Sequence, residues 1–336
     1  MKQKRILFYC SATSKKIFSI QKFLREDIQI LKDLGYKVSL SLHWYDFILF
    51  YKYDIAFIYF YRYGLIPAIL ATIFRKKIYF TGGIDFLNKE STPFKTYIIQ
   101  CIFFKLCNIF STKSILVSEA DVANVKSIYH NKLPYNCTLV QHCIDTTTYL
   151  KLASTPKEKI VVTIALMERI ENINRKGVLK AIKAFNFFQA QHPEYKMIII
   201  GKTGKDTYIV YDLINQLNLT KKISLTGSIT EEDKIQILSK AEFYLQLSSY
   251  EGFGIASLEA LASGCKVIHS GRGGLKYIIG NLGFEVPHYD NALKVYETME
   301  KAINTNISLA EIHNHMKKYS KEERRNAFYK ILNSIP

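Results

Sequence analysis

At 336 residues the chain is too long for one ordinary core and suits two domains of roughly 150 residues each, which implies a cleft between them. Its 48% hydrophobic and 22% charged residues describe a globular protein, and its apolar runs are broken by Lys, Gln or Asn well before the roughly 20 residues that span a bilayer, so no transmembrane helix is expected. Lys and Arg outnumber Asp and Glu by 46 to 29, an excess that favours anionic partners such as phosphates, nucleic acid or acidic lipid headgroups and equally fits a Lys-, Ile- and Asn-rich composition.

The basic start Met1-Lys2-Gln3-Lys4-Arg5 leads into Ile6 to Cys10 without the long apolar core and cleavage site of an export leader. It reads as a first strand, and the expected location is cytoplasmic. A helix follows near Ile17 to Leu34, then strands near Lys37 to Leu42, Ile55 to Tyr59, Ile78 to Phe80, Ser114 to Val117 and Thr138 to Val140. Strand-helix alternation predicts a mostly parallel, helix-covered sheet. The polar stretch Ala153-Ser154-Thr155-Pro156-Lys157-Glu158-Lys159 is the expected linker, giving a first domain over 1–155. The pattern restarts with strand Ile160 to Ala165, a basic loop, helix Val178 to Gln189 and strand Met197 to Ile200. Helix Tyr208 to Leu217, strand Ile223 to Leu225 and helix Glu231 to Ser239 complete the run up to a strand at Phe243 to Leu247. This second domain covers 156–318, and the charged helix Lys321 to Leu332 within 319–336 is expected to cross back to the first. The six cysteines, Cys10, Cys101, Cys107, Cys137, Cys143 and Cys265, lack paired metal spacing and read as reduced, mostly buried thiols.

Most chemistry lies in Ser248-Ser249-Tyr250-Glu251-Gly252-Phe253-Gly254-Ile255-Ala256-Ser257-Leu258-Glu259. A buried strand ends here, Gly252 and Gly254 let the backbone approach a ligand, and Ile255 opens an apolar helix whose free N–H groups make an anion site. Glu251 and Glu259 suit sugar or ribose hydroxyls rather than phosphate, so the local chemistry suggests a nucleotide-sugar. Gly201-Lys202-Thr203 looks like the end of a phosphate loop, but Lys196 stands where the first glycine is required, and a Walker site is rejected. No Asp-x-Asp metal motif appears. No basic helix with interleaved aromatics appears either, which argues against nucleic acid as a partner.

With Met167-Glu168-Arg169-Ile170, Asn174-Arg175-Lys176-Gly177, Leu225-Thr226-Gly227-Ser228 and Ala262-Ser263-Gly264-Cys265 in the same order, the second half resembles the retaining glycosyltransferases of family 4. The resemblance implies the GT-B fold, two doubly wound Rossmann-like domains facing across a cleft. It implies that Arg169 and Lys176 bind the donor diphosphate, with Arg175 as the alternative to Lys176. The backbone of Gly252, Phe253, Gly254 and Ile255 adds to that site, Glu251 contacts the transferred sugar, and Glu259 holds the donor ribose. Gly201 and Gly227 border the nucleobase. The donor is a nucleotide-diphosphate-sugar, with a UDP-sugar favoured, no metal is required, and the acceptor is a saccharide or a lipid-linked glycan under assembly for the surface.

The first half is less similar. Val117-Ser118-Glu119-Ala120 and His142-Cys143-Ile144-Asp145 resemble family elements, whereas Ser11-Ala12-Thr13-Ser14-Lys15 replaces a glycine-rich loop and Thr81-Gly82-Gly83-Ile84-Asp85 replaces a histidine. Asp85 is the candidate to orient the acceptor or the reacting sugar, and a turn or N-cap aspartate is the competing reading. Ile98 to Cys107, near Arg75, Lys76, Lys77 and Lys95, reads either as a helix lying on the anionic inner face of the membrane or as a core helix beneath the sheet. A silent GT-B scaffold, and an epimerase or glucan synthase of the same fold, remain the alternatives to a transferase.

Overall fold

Central strands such as Ile55–Tyr59, apolar throughout, need cover on both faces, and here the strands build two six-stranded, all-parallel sheets in the computed structural model, which describes residues 3–333. Met1 and Lys2 of the basic start, and residues 334–336 of the last segment, lie outside the described residues. The first sheet contains β1 (Arg5–Cys10), β2 (Lys37–Ser41), β3 (Ile55–Tyr59), β4 (Lys77–Thr81), β5 (Lys113–Leu116) and β6 (Cys137–Leu139), in the order β2-β1-β3-β4-β5-β6. The second contains β7 (Glu158–Ile164), β8 (Lys196–Ile200), β9 (Ile223–Gly227), β10 (Ala241–Gln246), β11 (Lys266–His269) and β12 (Phe284–Glu285), in the order β12-β11-β10-β7-β8-β9. Both are doubly wound.

Side chains of β1 divide by the two-residue period of a strand: Ile6, Phe8 and Cys10 enter one core, Leu7 and Tyr9 the other. In the second sheet Val161, Met197, Ile199, Phe243 and Leu245 share a core with the Val178–Gln191 helix. Helix starts follow capping chemistry. Thr230 accepts from the Asp233 N–H at 3.1 Å ahead of a first turn that holds Glu231, Glu232 and Asp233.

Among the described residues the chain divides into one unit running to Cys143 together with Lys318 onward, and a second unit over Ile144–Lys317. The boundary therefore precedes the polar stretch expected to be the linker. That stretch is held by the second unit: the Thr146–Lys151 helix packs on the Ile255–Ala262 helix, and Lys157 Nζ donates to the Ser239 and Ser263 carbonyls at 2.7 and 2.6 Å. The helix expected over Ile17 to Leu34 is also interrupted. Gln21 adopts an extended ψ of 111°, leaving Ile17–Ile20 and Lys22–Asp33 as separate helices.

The last helix, Lys321–Asn333, belongs to the first unit. Arg324 is buried, with Nε donating to Asp27 Oδ1 at 2.5 Å and Nη2 to Asp27 Oδ2 at 2.8 Å. Its Nη1 donates to the carbonyls of Val140 and Gln141, and the Tyr59 hydroxyl donates to Asp27. Burial presses the guanidinium toward neutrality, but Asp27 outweighs it and raises the pKa. Phe328 packs on Phe57 with ring centroids 5.7 Å apart. Replacing Arg324 by Ala leaves Asp27 charged and buried without its partner, and denaturant unfolding should show a loss of roughly 3–5 kcal/mol. A loss below about 1 kcal/mol would mean that the pair does not hold the helix.

Candidate functional site

In the second sheet β7 and β10 are neighbours, and the chain leaves β7 toward β8 on one side and β10 toward β11 on the other. The loops at their carboxyl ends part, leaving the crevice in which doubly wound sheets take ligands. After β7, the segment expected to be a basic loop folds into the seven-residue helix Ile170–Lys176. Two contacts make it a helix: the Ile170 N–H donates to Asp206 Oδ2 at 2.9 Å, and Gly177 closes it at φ +71. A Cβ on Gly177 would lie 2.2 Å from the Leu247 carbonyl oxygen, so glycine is needed where this helix meets the end of β10.

Lys176 at the end of that helix donates from Nζ to Glu251 Oε2 at 2.6 Å. The Ser249 N–H donates to the Arg175 carbonyl at 2.8 Å, and Arg175 Nη1 to the Tyr250 carbonyl at 3.4 Å, so the loops after β7 and β10 are joined at three points. Burial pushes the Glu251 carboxyl up, but the charge and hydrogen bond of Lys176, with Arg175 and Ser248, hold it below its ordinary value.

Glu251 is also tied to the sheet. The Tyr244 hydroxyl donates to Gln246 Oε1 at 2.7 Å, Gln246 Nε2 donates to Ser248 Oγ at 2.7 Å, and Ser248 Oγ donates to Glu251 Oε2 at 3.2 Å. Sequence reasoning missed this relay. Its signal was present: Tyr244, Gln246 and Ser248 alternate with Phe243, Leu245 and Leu247, a polar face on a strand that is otherwise core.

Gly254, at φ +102, opens the Ile255–Ala262 helix, and a Cβ there would meet Ile278 and Leu275 at 2.9 Å and Glu251 Cγ at 3.5 Å. The Glu251 side chain therefore lies beside the helix start, where Gly252, Phe253, Gly254 and Ile255 bring the loop to the first-turn N–H groups. A helix N-terminus favours an anion by about 0.3–2 kcal/mol.

The other predicted residues make contacts of their own. Arg169 is exposed at the opposite end of the Ile170–Lys176 helix, about 10 Å of helix from Lys176. Glu259 is 1% exposed and accepts from Lys234 Nζ at 2.7 Å. Lys234 also pairs with Glu231 at 3.1 Å, and the Tyr149 hydroxyl donates to Glu231 at 2.9 Å. Burial, then the charges of Glu259 and Glu231, raise the Tyr149 pKa. Tyr149 comes from one stretch of chain and Glu231 and Lys234, three residues apart on one helix, from another, and no spacing ties either to Glu259. Gly201 follows β8 and Gly227 ends β9, with the Gly201 N–H donating to the Gly227 carbonyl at 3.0 Å.

Asp85 lies in the first unit, in a 3-10 turn after β4. It lines a cavity of about 440 Å³ with Ser11, Arg62, Tyr63, Phe86 and Gln100, at the carboxyl ends of β1, β3 and β4. Phe60, which follows β3, is held at φ +72 with its N–H donating to the Thr81 carbonyl at 3.1 Å. The segment Ile98 to Cys107 sits within the helix Phe94–Phe110, which buries Phe104, Cys107 and Asn108 and exposes Ile98 and Ile102. No helix among the described residues is long and apolar enough to cross a membrane, and no cluster of His, Cys, Asp or Glu among them is placed to hold a metal. Cys101 is half-buried and the other cysteines are buried, with the Cys265 thiol pushed up to about 12 by burial.

The sequence model of one family, described as Glycosyl transferases group 1, matches residues 151–323, just over half of the 336-residue chain. The chain belongs to the group 1 glycosyl transferases. This group 1 chain is 30% identical over 127 residues to the poly(glycerol-phosphate) alpha-glucosyltransferase of Bacillus subtilis (strain 168), a match covering 38% of this chain and 18% of that protein. It is 29% identical over 232 residues to the GDP-mannose:cellobiosyl-diphosphopolyprenol alpha-mannosyltransferase of Xanthomonas oryzae pv. oryzae, covering 60% of this chain and 58% of that one. The chain thus spans less than two thirds of the length of these curated relatives. Among solved structures it matches Anabaena HepE, crystallised with UDP and glucose, at a TM-score of 0.76 and 15% identity over 99% of this chain and 100% of that one. That likeness carries the two-domain GT-B fold.

Because Glu251 is depressed in the folded group 1 transferase, it contributes stability that is present above its unfolded value and lost as pH falls through the folded one. Lys176→Met removes the opposing cation and leaves burial to raise the carboxyl. Lys176 and Glu251 are 17% and 16% exposed, so at neutral pH the variant should be less stable by roughly 2–4 kcal/mol. The gap should close as the pH is taken below the range in which Glu251 titrates. Urea unfolding across that range checks it, and a gap independent of pH would contradict the pairing.

Proposed function

We propose that this chain moves a sugar from a nucleotide-diphosphate donor to a hydroxyl of a saccharide or lipid-linked acceptor, with retention of anomeric configuration, in the assembly of a surface glycan. The observation that carries this reading is the Lys176–Glu251 pair, set at the parting of the β7 and β10 loops beside the Gly254–Ile255 helix start. An ammonium has three N–H donors, so Lys176 can keep Glu251 and still reach a phosphate oxygen. As the bond between the anomeric carbon and the phosphate oxygen breaks, charge accumulates on the diphosphate, and Lys176, Arg169 and the helix N–H groups stabilise it more than they stabilise the intact donor. The acceptor oxygen bonds to the same face of the anomeric carbon, and its proton passes to the departing phosphate oxygen. Glu251 orients the hydroxyls of the transferred sugar, Glu259 holds the ribose within reach of Lys234, Gly201 and Gly227 border the base, and Asp85 orients the acceptor.

The names of the relatives support this chemistry: one is a glucosyltransferase, one a GDP-mannose-dependent mannosyltransferase, and HepE was crystallised with UDP. A UDP-sugar is the favoured donor. Thermal melting with uridine, guanosine and adenosine diphosphates should show one of them, uridine first, raising the midpoint by mass action. With the matching donor sugar, Lys176→Ala and Arg169→Ala should each lower kcat roughly a hundredfold while changing KM less. A flat melting response to all three diphosphates, together with no release of nucleotide diphosphate from any donor sugar, would replace this reading by the scaffold.

A further inference from the structure

The helices Tyr61–Ile73 and Phe94–Phe110 pack on each other in the first unit, and neither contains an acidic residue. Inward, Tyr61, Ala68, Ala71, Phe104 and Cys107 enter the core. Outward, the same helices present Ile66, Ile69 and Ile73 on the first and Ile98, Ile102 and Ile109 on the second, all exposed, with Ile73 at 65% and Ile109 at 74%. A cluster of exposed isoleucines on two packed helices is a face that something covers. Here nothing among the described residues covers the outer side.

The rim of this face decides among covers. Arg62, Arg75, Lys95 and Lys105 are exposed around it, and Lys76, after the first helix, and Lys77, at the start of β4, are half-buried. Acids nearby are few. Asp46 is engaged by Ser41 Oγ at 2.7 Å and Asp54 by Arg5, and the others are Glu90, in the turn before the second helix, and Asp85, in the cavity beside Arg62. A second copy of this chain docked through the same patch would set one basic rim against another with no carboxylate on either helix to balance it. An anionic lipid surface offers what the face lacks, hydrocarbon for the isoleucines and phosphate for the rim.

We infer that the outer face of the Tyr61–Ile73 and Phe94–Phe110 helices lies on an anionic phospholipid bilayer, its isoleucines in the interfacial layer and Arg62, Arg75, Lys95 and Lys105 among the headgroups. The two helices also supply Arg62, Tyr63 and Gln100 to the 440 Å³ cavity that holds Asp85. Resting on the reading of the chain as a transferase, the acceptor is then a membrane-borne amphiphile whose polar head enters this cavity while its tail stays in the bilayer.

The test is co-sedimentation of the whole chain with vesicles of phosphatidylcholine mixed with phosphatidylglycerol, against vesicles of phosphatidylcholine alone. Binding should need the anionic lipid and fall as salt is raised. The pair Ile66→Glu with Ile102→Glu, at positions that are each 52% exposed, should lower the partition at least about tenfold without changing the melting midpoint. Lys95→Glu and Lys105→Glu should each lower it about fivefold or more. Absence of binding at low salt, equal binding to both vesicles, or a wild-type dimer that Ile66→Glu dissociates would each overturn the inference. The response of the same variants to nucleotide diphosphates is read separately, so a failure of vesicle binding and a failure of donor binding remain distinguishable.

Discussion

The ion pair between Lys176 and Glu251 closes a gap that the topology opens. A parallel sheet wound outward in both directions from β7 and β10 has no connection running between their carboxyl ends, and the two loops would drift apart without a bond across them. Lys176, with the backbone contacts of Arg175, supplies that bond. Its placement depends on Gly177 meeting the Leu247 carbonyl from one side, and on the Tyr244, Gln246 and Ser248 relay holding Glu251 from the other. The charge is thus fixed in advance of any ligand, which is the condition under which an electrostatic site works without reorganising.

A second buried polar centre holds a different part of the chain. Arg324 and Asp27 are both removed from water, so their attraction must offset a large desolvation cost. The extra hydrogen bonds from Tyr59 and to the Val140 and Gln141 carbonyls are what make this feasible. Those carbonyls lie just before Cys143, where the first unit ends. The same guanidinium therefore fixes the chain where it leaves the first unit and the helix with which it returns.

How much of this was legible in the sequence follows from the range of the interactions. Parallel strands covered on both faces declare themselves as short apolar runs, and Ile55–Tyr59 falls where its run predicts. The strand end, the glycine turn and the helix start between the two glutamates were readable because they are local events, whereas Lys176 was named only through the family resemblance. Structure decided by distant partners was not. The break at Gln21 carries no proline or glycine to mark it, and the Ile170–Lys176 helix needs Asp206 at its start. The linker misled because Lys157, polar in composition, reaches two carbonyls of the second unit. Lys234, the partner that makes a buried Glu259 tolerable, lies on another helix with nothing in the sequence pointing to it.

The chain passes from the first unit to the second once, after Cys143, and comes home once, before Lys318. In genetic terms the second unit is an insert, and the helix that follows it is the far flank of its host. Recombination that grafted everything after Cys143 from a relative would import a foreign closing helix and confront Asp27 with whatever residue that relative carries opposite it. Shuffling confined to 144–317 leaves both flanks native, which makes this segment the natural cassette for exchange among such proteins.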